Sequence, residues 1–219
     1  MTRLAVFDCD GTLVDGQDAI CSSMEEAFAA AGLTAPHRNK IRRVVGLSLP
    51  FALSELAPEA GEQERVAIVE GYKHAFSNRR SSGQLEEPLF EGMADLLARL
   101  NAEGWLLGVA TGKSDRGLFH CLETHGIRHH FVTLQTADRH PSKPHPAMLE
   151  EALSEAGVGA SEAVMIGDTS FDIDMARNAG VAAVGVAWGY HEPRELLAAG
   201  AQGVAETMTQ LEELIRAAR

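Results

Sequence analysis

The sequence predicts an α/β fold: a doubly wound, Rossmann-like parallel sheet with an inserted α-helical cap subdomain. Three observations carry that expectation. Five short runs are apolar throughout, "LAVF" (4–7), "WLLGVA" (105–110), "FVTL" (131–134), "AVMI" (163–166) and "AAVGVA" (182–187), as in strands buried on both faces of a parallel sheet. Amphipathic stretches separate the later runs. Met93, Leu96, Leu97 and Leu100 share one helical face before Gly104, and Leu149, Ala152, Leu153 and Ala156 share another before Gly157. Between the first two runs lie about ninety residues that read as helix only. A single crossover needs only about a dozen.

Taken in order, the first strand runs straight into Asp8, Cys9, Asp10, Gly11 and Thr12. Ile20, Met24, Ala27, Phe28 and Ala31 then form an apolar stripe ending at Gly32, and Val66, Val69, Tyr72 and Phe76 form a second. Residues 16–84 are therefore expected to be the helical cap, with 1–15 and 85–219 forming the core. The second strand ends in Thr111 and Gly112, where a helix is expected to begin. After the third comes "RHPSKPHP", holding Lys143 between Pro141 and Pro144. The fourth leads into "GDTSFDID", with Asp168 at the strand end and Asp172 at the start of a helix running from Phe171 towards Gly180. The alanine-rich C-terminal end reads as a final helix.

Composition narrows the function. With 219 residues, 45% hydrophobic and 23% charged, the chain can bury a sizeable core. A formal net charge of -12 and the lack of a basic track argue against a nucleic-acid partner. No stretch reads as a membrane span or a signal peptide. Three cysteines, Cys9, Cys21 and Cys121, form neither a disulfide framework nor a CxxC pair, which fits a reducing cytoplasm. Cys9 alternates away from the two aspartates and reads as a small buried hydrophobe. The histidines, including His129, His130, His140 and His145, lack zinc-site spacing.

In a parallel sheet the carboxyl ends of the strands converge on one edge. Carboxylates, a hydroxyl, a lysine and a helix start meeting there describe a phosphate site with a metal. A carboxylate attacking a phosphoryl dianion at about 3.5 Å meets repulsion of roughly 9 kcal/mol even at an effective dielectric of 20. Mg²⁺ and Lys143 would remove most of that penalty, and an all-oxygen ligand set suits Mg²⁺ better than zinc. Asp8, directly at the strand end, is placed as the nucleophile. Asp10 is placed as the acid that protonates the leaving oxygen and the base that later activates water. Thr111 and the N–H of Gly112 are expected to donate to the phosphate. Asp8, Asp10, Asp168 and Asp172 are the metal candidates, although Asp172 also fits a helix cap. In the cap, Arg43, with Arg42 and Gly46 nearby, is placed either to pair with a substrate carboxylate or on a solvated face. "WGYH" (188–191) is either a loop near the site or an aromatic strand end.

These segments resemble the signature of the haloacid dehalogenase-like hydrolase superfamily. "DCDGT" is similar to its first motif DxDGT, "AT" of "ATGK" to its second, "SKPHP" to its third and "GDTSFD" to its fourth. "FDCDGTLVD", "IRRVVGLSL", "KPHPAMLEEAL" and "IGDTSFDIDMARNAGVAAVGVAWGY" look most like phosphoglycolate phosphatases. The resemblance implies Mg²⁺-dependent hydrolysis of a small phosphorylated metabolite, 2-phosphoglycolate first, through an aspartyl-phosphate; the sequence leaves monomer and homodimer both open. It also implies that the backbone carbonyl of Asp10, rather than its side chain, joins Asp8 and Asp168 at the metal. The chain departs from the pattern at Gly112, where relatives often carry Asn, and at Gly16, Leu89–Phe90 and Ala147. A phosphohexomutase of the same superfamily is the enzyme alternative. A receiver-type phospho-switch shares the Asp, Thr and Lys but lacks both the helical insert and an acid/base two residues after the acceptor.

Overall fold

The computed structural model describes residues 3–218. Its six strands are β1 (Arg3–Phe7), β2 (Trp105–Thr111), β3 (Phe131–Thr136), β4 (Ala163–Gly167), β5 (Ala182–Val186) and β6 (Val204–Ala205). All pair in parallel, in the order β3-β2-β1-β4-β5-β6. The order reverses on either side of β1, so the crevice beyond β1 and β4 is the place where such a sheet binds ligands. All five apolar runs are strands: three extend by one residue, the third by two, and the fifth ends one residue early. The sixth strand, two residues long, is too short to leave an apolar run in the sequence.

Period-two alternation divides β1 between two layers. Ala5, Phe7 and Cys9 pack in one cluster, against α5 (Met93–Ala102), α6 (Asp115–Thr124) and α10 (Met208–Ala217). Leu4 and Val6 pack in the opposite cluster, against α7 (Ala147–Ala156), α8 (Ser170–Asn178) and α9 (Pro193–Ala199). Met93, Leu96, Leu97 and Leu100 are fully buried, as their spacing predicts. Burying such a side chain contributes about 1.5–3 kcal/mol, which explains why the sheet is covered on both faces. No described helix is long and apolar enough to cross a membrane.

Between β1 and α5 lie four helices, α1 (Gln17–Ala30), α2 (Arg38–Arg43), α3 (Leu49–Leu56) and α4 (Glu62–Ser81). They bury a third cluster of their own, built on Ile20, Met24, Phe28, Ile41, Leu53, Ile68 and Phe76. The first expected stripe is buried except for Ala31, which is partly covered at the helix end. The second stripe is corrected by one position: Val66 is 57% exposed and Ile68 is buried in its place. Val66 lies in the first turns of α4, where the neighbouring helix does not reach round to cover it; Phe76 and Ile68 face α1 and α3.

A second correction concerns the helix after β2. It begins not at Gly112 but at Asp115, because Ser114 takes the cap position and accepts a hydrogen bond from Gly117 N (3.2 Å). Thr111 Oγ1 accepts from Lys113 N (3.2 Å), so residues 111–113 form a bend of their own.

Candidate active site

Asp8 continues β1 by one residue, donating its N–H to Ile166 O (2.9 Å) on β4. Gly11 turns the chain immediately afterwards at φ +81, and a Cβ there would lie 2.3 Å from Asp168 Oδ2. Only glycine allows that turn and that approach together. Thr12 Oγ1 then donates to Asp168 Oδ1 (2.8 Å), and Tyr190 N donates to Asp168 Oδ2 (2.9 Å). The loops after β1 and β5 thus hold the Asp168 carboxylate from both sides.

Lys143 Nζ, wholly buried, lies 2.6 Å from Asp172 Oδ1 and 3.0 Å from Asp8 Oδ1. Asp8 Oδ1 also accepts from Cys9 N (2.7 Å), while Asp8 Oδ2 is buried with no partner. The other oxygen of Asp172 accepts from Thr169 N (3.0 Å) and Thr169 Oγ1 (2.7 Å). Asp172 is therefore the third residue of α8 closing a capping box, and both its oxygens are engaged.

Ligand atoms of Asp8, Asp168 and Asp172 lie within 4.8 Å of one another, all buried. One lysine cannot balance three buried carboxylates. Burial pushes the Asp8 carboxyl up to about 7, with Asp172 and Asp10 adding to the rise and Lys143 opposing it. Burial, then Asp172 and Asp8, push Asp168 well above the usual carboxylate range. Burial alone would pull the Lys143 ammonium down, but Asp172 and Asp8 outweigh it and hold it above its ordinary value. A buried anionic surplus with one oxygen left free fits a hard divalent cation.

Asp10 is held differently. Lys113 Nζ lies 3.0 Å from Asp10 Oδ1, an ion pair without hydrogen-bond geometry, and 2.5 Å from Glu87 Oε1. Lys113 also sits 5.3 Å from the centre of the Phe76 ring on α4. Burial raises the Asp10 carboxyl, Lys113 opposes the rise and Glu87 adds to it. Lys113 and Glu87 have no signature in the sequence: they are 26 positions apart and meet only because the chain returning from the four helices passes β2.

A cavity of about 520 Å³ lies between the strand ends and the four helices, and Asp8, Asp10, Thr111 and Gly112 all line it. Thr111 is buried, and its hydroxyl donates to no described residue. The loop between α2 and α3 closes over this edge. Ser48 N donates to Ser142 Oγ (2.9 Å), and His191 Nε2 donates to Arg43 O (3.2 Å).

Arg43 does not reach the cavity. Its guanidinium makes a bidentate pair with Glu195 (2.7 and 2.8 Å) on α9, with the two side chains 47% and 34% exposed. An arginine on the last turn of a short helix can swing either way, and here a carboxylate on the core surface takes both its nitrogens. "WGYH" turns out to serve both expectations. Tyr190 N and His191 N reach Asp168, and Trp188 packs on Phe90 with ring centres 5.9 Å apart. Cys9 and Cys121 are free thiols buried together, with their sulfurs 3.9 Å apart on the face of the sheet that points away from the carboxylates.

Comparison with known proteins agrees with this geometry. A family profile described as haloacid dehalogenase-like hydrolase matches residues 5–186. "Probable phosphatase IndB" of Dickeya dadantii is 36% identical, over 96% of this chain and 92% of its own. A phosphoglycolate phosphatase of Vibrio parahaemolyticus is 28% identical, over 97% of this chain and 96% of its own. Among solved structures, a haloacid dehalogenase-like family hydrolase from Streptococcus pneumoniae superposes with a TM-score of 0.84 at 26% identity, over 96% of both chains. The chain belongs to the haloacid dehalogenase-like hydrolase family, and it is a phosphatase of that family.

Proposed function

We propose that the protein hydrolyses small phosphomonoesters with Mg²⁺, using Asp8 as nucleophile and Asp10 as general acid and base. The observation that carries the reading is Asp8 Oδ2: a buried, unpartnered carboxylate oxygen beside Lys143 and Asp168, at the mouth of the cavity. Asp8 attacks phosphorus, the new O–P bond forms as the ester O–P bond breaks, and the leaving oxygen takes the proton of Asp10. Burial keeps that proton available by raising Asp10. Asp10 then takes a proton from the water that attacks the aspartyl-phosphate, which frees inorganic phosphate and restores Asp8. Thr111 and the N–H of Gly112 donate to the phosphoryl oxygens, and Lys143 offsets charge on the nucleophile and on the group in transfer.

Asp8 and Asp168, with the backbone carbonyl of Asp10, would hold Mg²⁺. When bound, the ion supplies the positive charge that lets a carboxylate approach a phosphoryl dianion. Asp172 fixes Lys143, since both its oxygens are already engaged. Residues 16–84 act as the cap: they exclude water from the first step and shape the cavity around the leaving group.

2-Phosphoglycolate, the ester in the names of several relatives, heads the substrate panel. The test is phosphate release from that panel, with and without Mg²⁺, by wild type and Asp8→Asn. Release that needs the metal and disappears in the variant supports the reading. Activity retained by Asp8→Asn would remove Asp8 from the chemistry, and an isomerised sugar phosphate in place of free phosphate would make the enzyme a mutase.

A further inference from the structure

The lining of the cavity carries charge that the phosphoryl chemistry does not use. Arg80, near the C-terminal end of α4, and Arg116, in the first turn of α6, both line it. Among the described residues neither guanidinium makes an ion pair or hydrogen bond, and Arg80 Nε is buried with no partner. The other two charged side chains away from the strand ends are engaged: Lys73 pairs with Glu70 (2.9 Å), and Asp138 Oδ2 accepts from Asp115 N (2.8 Å). Burial, with the like charge of Arg116 beside it, lowers the Arg80 guanidinium from its ordinary value, and Glu87 only partly opposes this. Arg80 is half-buried and Arg116 exposed, and the nearby Glu87 carboxylate is already paired with Lys113 (2.5 Å), so the two guanidinium groups have donors left to offer an anion.

The same cavity is lined by apolar side chains, Met24, Ile41, Val45, Tyr72 and Phe76 among them. At about 30 Å³ for each water-sized unit, the nine non-hydrogen atoms of 2-phosphoglycolate occupy at most about 270 Å³. That is roughly half of the 520 Å³ present. The remainder leaves room for a longer body against those apolar side chains, in a cavity that the two unpaired arginines also line.

We propose that the preferred substrate is a phosphate monoester with an apolar body longer than two carbons and a second anionic group at its far end, bound by Arg80 and Arg116. This inference rests on the phosphatase reading and narrows it. The apolar body gains by leaving water for the wall of Tyr72 and Phe76, and the anion gains charge-assisted hydrogen bonds.

The test is kcat/KM for a matched series of esters with Mg²⁺: 2-phosphoglycolate, hexyl phosphate, the same six-carbon chain ending in a carboxylate, and the same chain ending in a second phosphate. A hydrogen bond to a charged group is worth about tenfold to a hundredfold, so the tailed esters should exceed hexyl phosphate by at least tenfold and should also exceed 2-phosphoglycolate. The carboxylate and phosphate arms identify which anion the pair prefers. Arg80→Ala and Arg116→Ala should each shrink the ratio of tailed to untailed ester towards one, and Arg80→Lys should restore part of it. Equal kcat/KM for tailed and untailed chains, or a preference for 2-phosphoglycolate over all of them, overturns this inference and leaves the phosphatase reading intact. No phosphate release from any ester overturns both.

Discussion

Gly112 shows how closely the four-helix segment must seat on the strand ends. A Cβ at this position would lie 2.7 Å from the backbone oxygens of both Gly46 and Leu47. Ordinary contact begins at 3.4 Å, so Gly112→Ala requires the loop to retreat by roughly 0.7 Å, the gap between those two distances. Neither oxygen belongs to a flexible side chain, and the loop is tethered by Ser48 N to Ser142 Oγ and by His191 to Arg43 O. Overpacking of this kind costs about 1–3 kcal/mol. If the cost falls on the closed arrangement alone, the ratio of closed to open drops roughly 5- to 140-fold. The apparent affinity for substrate drops with it. The assay is kcat/KM for one fixed ester, beside a urea unfolding curve. We expect kcat/KM to fall at least fivefold while the unfolding midpoint moves little, because the loop can lift without unfolding the core. Wild-type kcat/KM in Gly112→Ala would refute the claim that catalysis needs the loop seated at Gly112.

Two further predictions separate the roles of the carboxylates. Asp172→Asn loosens Lys143 and should lower kcat by about a hundredfold, the scale of losing one positioned donor, while Mg²⁺ affinity by calorimetry stays within about twofold. Loss of Mg²⁺ binding in that variant would make Asp172 a ligand after all. The second concerns stability and pH. The Asp8 carboxyl is raised in the folded protein from its ordinary 3.8 to about 7. Its contribution to stability is therefore present below 3.8 and is lost as the pH rises through 7. For Asp8 that amounts to at most about 4 kcal/mol. The metal-free protein should therefore lose urea resistance between pH 5 and pH 7.5, and Mg²⁺ should restore it most at the upper end. A metal-free midpoint that rises over that range would contradict the burial of an anionic surplus.

Much of the core site was legible because its spacing is set by the sheet. A strand buried on both faces can place a charged or polar side chain only at its ends, and in a parallel sheet ligands bind beyond the carboxyl ends. Asp8, Thr111 and Asp168 follow from that rule, and Lys143 and Asp10 from the loops that leave the same edge. The same rule put Cys9 on the opposite face. What escaped depends on contacts that no local period encodes. Arg43 has a long side chain on a short helix, and which carboxylate it meets is decided by α9, some 150 residues later. Lys113 and Glu87 meet only when two separate loops pass one another. The start of α6 was misplaced by three residues because Ser114 outcompetes Gly112 as a cap. At Gly112 the sequence offers only a backbone donor to the phosphate, and the need for a residue without a side chain is visible only with the Gly46–Leu47 loop lying against it.

The most direct test of the central claim is the intact mass and peptide map of Asp10→Asn after exposure to a phosphate ester with Mg²⁺. Without its acid and base at position 10, the enzyme should still transfer the group from an ester with a good leaving oxygen, but should release it slowly. A phosphoryl increment on the peptide containing Asp8, absent from Asp8→Asn, is the predicted result. Turnover of the ester with no such increment on that peptide at any time point would contradict nucleophilic attack by Asp8.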